Sequence, residues 1–161
     1  MILPIVKYPQ KILRNKTRKV VFPLTAPIKK LIQDMYDTVK KAEGIGLAAP
    51  QVGQDLAIIV VELESLGLPA FALINPAVIE GSRKKTVMEE GCLSIPKVFG
   101  MVSRPEAIKF RGYNVDGQEI VAQADGMLSK VLQHEIDHIN GVLIIDRIKK
   151  YTQGQDLIKN K

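Results

Sequence analysis

One cysteine, two histidines and no tryptophan leave this chain few residues with which to do chemistry, and aromatics make up only 5% of it. A single thiol excludes an internal disulfide, so the fold rests on its own core, and a free thiol suits the reducing cytoplasm. The apolar opening run Met1 to Val6 is too short for a secretory signal. No apolar run approaches the roughly 20 residues of a membrane span, so no membrane association is expected. Internal repeats, low-complexity stretches and Pro/Gly/Ser linkers are also missing, which points to one domain over residues 1–161. What is present, 46% hydrophobic and 25% charged residues, is a globular composition. A chain of this length buries roughly 70% of its extended surface without a staple.

The net charge of +6 is unevenly spread. Residues 1–43 hold ten Lys/Arg against three Asp/Glu, residues 44–147 nine against thirteen, and residues 148–161 four against one. A nucleic-acid reader would place basic side chains around its working surface, yet the motifs lie in the acidic middle, so sequence-specific nucleic-acid binding is not expected. The basic ends, Lys149, Lys150, Lys159 and Lys161 among them, either solubilise the domain or dock it on an anionic partner.

From Thr25 the apolar positions Ile28, Leu31, Ile32, Met35, Val39 and Ala42 recur at helical steps, predicting a helix over 26–43 with Thr25 as N-cap and Gly44 at the stop. Leu56 to Val61 and Phe71 to Ile74 read as buried strands, the second ended by Asn75-Pro76. Ala107 to Tyr113 and Glu119 to Ala124 read as a hairpin turned by Asp116-Gly117. A second helix is predicted from Asp125, as N-cap, to a stop at Gly141. Helix, many strands, helix without regular alternation predicts an α+β fold, with antiparallel sheets packed around the second helix.

That helix contains His134-Glu135-Ile136-Asp137-His138. Two imidazoles four residues apart lie about 40° apart on one face, where both can ligate one metal ion. Glu135, one position on, can reach a water at the metal without ligating, as a general base must. Both histidines of the chain are in this motif, which disfavours a pair of merely solvated side chains. A catalytic site needs a third ligand and an open position. No Glu follows Glu135, and Ile144 stands where a metzincin would have its third histidine. Asp137, Asp146 and Cys92 remain. Asp137 points off the ligand face, and Asp146-Arg147 reads as a structural pair. Cys92, in the polar run Glu89-Glu90-Gly91-Cys92-Leu93-Ser94, sits in a context suited to a ligand. Gly44-Ile45-Gly46-Leu47-Ala48-Ala49-Pro50-Gln51 allows close backbone approach to a ligand and offers Gln51 as a neutral donor, but it lacks the Lys-Ser/Thr of a phosphate loop.

Taken together, Gly44 to Gln51, Glu90-Gly91-Cys92-Leu93-Ser94 and Gln133-His134-Glu135-Ile136-Asp137-His138 resemble the three signatures of the peptide deformylases, in order and spacing and without a substitution. The resemblance implies removal of the N-formyl group from N-formyl-methionyl nascent peptides, with release of formate. It implies one divalent metal ion, Fe(II) in the cell, with zinc or nickel able to occupy the site. Cys92, His134 and His138 would be its ligands. Hydroxide generated at the metal would attack the formyl carbonyl, with Glu135 as general base and acid. Gln51 and the Leu93 N–H would hold the formyl oxygen. Gly44 and Gly46 would flank the substrate backbone, and Glu90 and Gly91 are counted with the substrate-binding residues.

Ile45, Met127 and Val131 are expected to wall a pocket for the methionine side chain. Lys130, on that same face, is expected to snorkel its amine into solvent. In some family members a longer C-terminal helix contributes to ribosome docking, a role that the short segment Tyr151 to Lys161 is not relied on to play here. The basic ends are the surface left for ribosome association. Two other classes remain: a metal-free binding protein, and a metal-dependent amidase for another small acyl amide.

Overall fold

A computed structural model describes residues 1–158. Along the chain come α1 (Ala26–Lys41), β1 (Gly46–Ala48), β2 (Ile58–Val61), β3 (Phe71–Gly81), β4 (Lys85–Cys92), β5 (Ile95–Pro105), β6 (Ala107–Tyr113), β7 (Glu119–Asp125), α2 (Gly126–Ile139) and β8 (Ile148–Gln153). One antiparallel sheet has the order β1-β2-β3-β6-β7, and a second has the order β4-β5-β8. The fold is α+β, as expected from the sequence.

The run Ile58-Ile59-Val60-Val61 sets the layering. Side chains alternate along a strand, so Ile59 and Val61 pack with Val131, Leu132, Ile136 and Ile139 of α2, while Ile58 and Val60 pack with Ile32, Met35 and Val39 of α1. Both faces of β2 are covered, which is why its sequence is continuously apolar. On its other side α2 lies against β5 of the second sheet, so the motif-bearing helix is central. A third cluster, Leu13, Ile95, Val98, Leu143 and Ile144, joins the second sheet to the N-terminal segment and the turn after α2. No helix among the described residues is long and apolar enough to cross a membrane.

Several boundaries differ from expectation. α1 ends at Lys41 because Glu43, not Gly44, takes the left-handed conformation (φ 56). Thr25 and Asp125 occupy the N-cap positions, but neither side chain makes a capping hydrogen bond. Asn75-Pro76 does not end β3. Asn75 is left-handed (φ 52), forms a bulge and exchanges hydrogen bonds with the Val20 main chain, and the strand continues to Gly81 on β6. The β6–β7 hairpin turns on Gly117 (φ 82), as expected. β8 accounts for Lys149 and Lys150, while Lys159 and Lys161 lie outside the described residues.

The C-terminus of α2 is held from outside. Thr17 donates from both its N–H (3.0 Å) and its hydroxyl (3.1 Å) to the Ile139 carbonyl. Gly141, at φ 74, lies so close to the Arg14 carbonyl that an added Cβ would run into it. Gly141→Ala should therefore cost at least about 1–2 kcal/mol from the left-handed backbone alone, and more from the clash. Urea denaturation will show the loss as a lower midpoint at unchanged slope, and an unchanged midpoint would contradict this close seating.

Candidate metal centre and active site

Cys92 ends β4 and His134 and His138 sit one turn apart on α2, so a strand and a helix deliver the three side chains to one point. Their ligand atoms all lie within 4.8 Å of one another. Cys92 Sγ is 3.3 Å from His138 Nε2. His134 Nδ1 is 3.2 Å from Glu90 Oε1; since a carboxylate only accepts, Nδ1 carries the proton and Nε2 is left with its lone pair for a metal. The His138 Nδ1 is buried without a hydrogen-bond partner among the described residues. A thiolate and two imidazoles are ligands for zinc and for similar borderline divalent ions, so the donor set fits the group implied by the sequence.

The other two ligand candidates are already engaged. Asp137 accepts from Arg104 (2.9 Å) and from Arg147 (2.6 and 2.8 Å). Asp146 does not pair with Arg147, as its sequence position suggested; it accepts from Arg14 and from the Leu143 N–H, because Arg147 is turned onto Asp137. Arg104, on β5, is the hub of this network. Its side chain is 3% exposed and it donates to both oxygens of Glu90 (2.7 and 2.9 Å) as well as to Asp137. Glu90 was counted with the substrate-binding residues. It lines the cavity, but its two oxygens are occupied by Arg104 and His134.

Glu135 is the second buried carboxylate of the site. Its Oε1 lies 4.0 Å from His134 Nε2, and its Oε2 is buried without a partner among the described residues. Burial pushes its carboxyl up to about 7. An unpaired polar atom in such a place is costly unless something else occupies the site, which is a further mark of a fitted ligand position. Gly46 explains how Glu135 is accommodated. A Cβ at that position would stand 2.8 Å from Glu135 Oε1, so β1 can pass over the carboxylate only as glycine. Gly44 is similarly close to the Leu93 side chain, at 3.0 Å.

Gln51 is buried in the turn after β1. Its Oε1 accepts from the Ala48 N–H (2.9 Å), and its Nε2 donates to Ser94 Oγ (3.1 Å) and, at 3.5 Å, to Cys92 Sγ. The amide orientation is thereby fixed, with one N–H directed at the Cys92 sulfur.

A cavity of about 510 Å³ opens on this centre, lined by Gly44, Ile45, Gly46, Gln51, Glu90, Gly91, Cys92, Leu93, Met127, Val131, His134 and Glu135. All the sequence-predicted site residues except His138, which lies beneath, therefore border one space. Met88 and Phe99 also line it and were not anticipated. The available signal was slight: Met88 shares a face of β4 with Glu90, and Gly91 leaves room for the Phe99 ring. Lys130 departs from expectation. It is 5% exposed, and its Nζ donates to the Thr86 carbonyl at 2.8 Å rather than reaching solvent. β4 is an edge strand, so an outward carbonyl is there to receive it. Burial lowers the pKa of this amine.

A family model described as polypeptide deformylase matches residues 2–154. The curated peptide deformylase of Syntrophobacter fumaroxidans is 45% identical over 164 residues, covering 99% of this chain and 93% of the relative. That of Brucella suis is 39% identical over 160 residues, covering 98% of this chain and 91% of the relative. Of the solved structures, Thermotoga maritima peptide deformylase superposes with a TM-score of 0.87 at 37% identity, covering 92% of this chain and 99% of that one. A class I type b peptide deformylase from Acinetobacter baumannii with Met-Ala-Ser bound gives 0.85 at 30% identity, covering 92% of this chain and 99% of that one.

The Glu90 network makes stability depend on acid. Burial alone would push the Glu90 carboxyl up, but hydrogen bonds from His134 and Arg104 outweigh it and hold the pKa at about 2, below the ordinary 4.5. A folded-state value below the unfolded one stabilises the protein fully above about 4.5, and this contribution fades as pH falls towards about 2. Its size is on the order of 3 kcal/mol. Chemical denaturation at pH 7 and pH 3 should show a smaller acid loss in Glu90→Gln than in the parent protein. Equal losses would mean that Glu90 is not held by this network.

Proposed function

The chain belongs to the polypeptide deformylase family, a family of hydrolases that remove the N-formyl group from nascent peptides, and we propose that it does so through a metal held by Cys92, His134 and His138. The observation that carries this reading is the buried, unpartnered Oε2 of Glu135 beside three converging ligand atoms. A divalent ion bound there supplies Lewis acidity, which brings the ionisation of water from a pKa of about 15.7 towards about 7. We take Fe(II) as the ion in the cell, with zinc and nickel as alternatives that the same ligands accept. The lone thiol and the nascent-chain substrate fit a cytoplasmic enzyme.

Glu135 takes the proton of the attacking water at Oε2 and returns it to the amine nitrogen as the formyl C–N bond breaks, releasing formate. Its pKa of about 7, set by burial, suits a group that must accept and then donate near neutral pH. Gln51 Nε2 and the Leu93 N–H donate to the formyl oxygen as it becomes anionic; with one Gln51 N–H held by Ser94, the other, whose Nε2 lies 3.5 Å from the Cys92 sulfur, is the one given to substrate. Gly44 and Gly46 leave the substrate backbone room beside β1. Ile45, Met127 and Val131 receive the methionine side chain, a reading supported by their place as apolar residues along the cavity wall. The exposed Lys149 and Lys150 of β8 belong to the basic surface that would meet the ribosome.

Two substitutions separate the roles. Glu135→Gln should keep its metal and lose nearly all formate release, since it removes only the proton acceptor. Cys92→Ser should lose metal affinity by an order of magnitude or more, because a hydroxyl is not deprotonated as a thiol is. Metal analysis alongside formate release from a formyl-Met peptide measures both. Turnover by metal-loaded Glu135→Gln, or normal metal content in Cys92→Ser, would contradict the respective assignment.

A further inference from the structure

The two proposed donors to the formyl oxygen come from segments far apart in sequence, the turn containing Gln51 and the β4–β5 turn containing Leu93. A stretch that lies outside the signature motifs ties them together. The Val6 N–H donates to the Gln51 carbonyl at 2.7 Å, and the Tyr8 N–H donates to the Ser94 carbonyl at 2.9 Å. Between them Lys7 extends over the cavity mouth and its Nζ donates to the Leu93 carbonyl at 3.1 Å. The side chains of Val6 and Tyr8 pack on the cluster of Leu13, Ile95 and Val98, against which Cys92 is also packed. Three consecutive residues thus reach both donor-bearing segments, with their apolar side chains anchored beneath and the charged one at the mouth.

We infer that Val6–Tyr8 is a positioning strap that fixes the distance between Gln51 Nε2 and the Leu93 N–H. This rests on the donor roles given to those two groups above. Donors to a developing oxyanion act only when held at about 2.7–3.1 Å from it, and a displacement of about 1 Å can cost on the order of 10²-fold in rate. The strap sets that spacing through the main chain of both turns, while the α2 side of the site, with His134, His138 and Val131, is held by packing on the five-stranded sheet that the strap does not touch, so loosening it moves the donors first. Its loss is therefore felt in the transition state more than in substrate binding.

The test replaces the Val6 amide by an ester, using the α-hydroxy acid of valine introduced by nonsense suppression, which deletes the N–H without changing the side chain. Lys7→Met and Lys7→Arg accompany it, and steady-state kinetics on a formyl-Met-Ala-Ser peptide are read with thermal unfolding. The ester should lower kcat about tenfold or more with KM within about twofold. Lys7→Met should lower kcat a few-fold, with recovery in Lys7→Arg. Unchanged kcat in the ester, or KM and kcat worsening together in step with lost thermal stability, overturns the strap. If the ester protein does not fold, the Lys7 pair decides by the same criteria. Gln51→Leu is the control for the underlying reading. Should it retain kcat, the donor assignment falls and the strap with it; should it lose kcat by about 10²-fold while the strap variants do not, the strap alone is wrong.

Discussion

The structure of the site depends on one buried guanidinium. Arg104 on β5 binds Glu90 on β4 through both oxygens and Asp137 on α2 through one, with its side chain 3% exposed. Charges taken this far from water are costly, and the cost is offset only when each donor and acceptor is met with good geometry. That requirement fixes the strand against the helix. Glu90 lies two residues before Cys92 and also holds the His134 ring, while Asp137 immediately precedes His138. This ionic junction thereby ties the end of β4 that carries Cys92 to the helix that carries both histidines, reaching the His134 ring through Glu90.

The remaining features adapt the surroundings to that junction. α2 carries the histidines on one face and buries Leu132, Ile136 and Ile139 on another against the five-stranded sheet, so hydrophobic packing holds the helix to one layer while Arg104 holds it to the other. β1 passes over Glu135 at a distance that only glycine permits, leaving the carboxylate dry and raising its pKa. Lys130 adds a second link between α2 and β4 through the Thr86 carbonyl. The cavity opens beside these two elements, with Cys92 and His134 in its lining and apolar residues along its wall.

Much of this was legible in the sequence where the pattern was dense. The His134-Glu135-x-x-His138 spacing, the helix around it and the β6–β7 hairpin follow from periodicities of 3.6 and 2 and from a glycine at a turn. Sheets around the second helix were expected, but the strands of the second one were not located, for a physical reason. β4 alternates exposed and half-buried positions, β8 is largely exposed, and β5 is interrupted by Pro96 and by Lys97 at positive φ, so none shows the strong apolar signal of β2. Charged residues were hardest to place. Glu90, Arg104 and Lys130 each look like surface residues in one dimension, and their burial is decided by partners 14, 33 and 44 residues away. The residue pattern and the family resemblance together pointed to Cys92, His134 and His138 as the candidate ligand set, but not to the ionic junction beneath it.

If the Arg104 junction holds Cys92, His134 and His138 in place before any metal arrives, metal affinity depends on Arg104. Equilibrium zinc binding, measured by competition with a chromogenic chelator on the parent protein and on Arg104→Met, tests it directly, with circular dichroism to show that both remain folded. The parent should bind one ion per chain, and the variant should bind it with an affinity lower by about 10 to 100-fold. Equal affinities in two equally folded proteins would show that the ligands find their places without Arg104, and would contradict it.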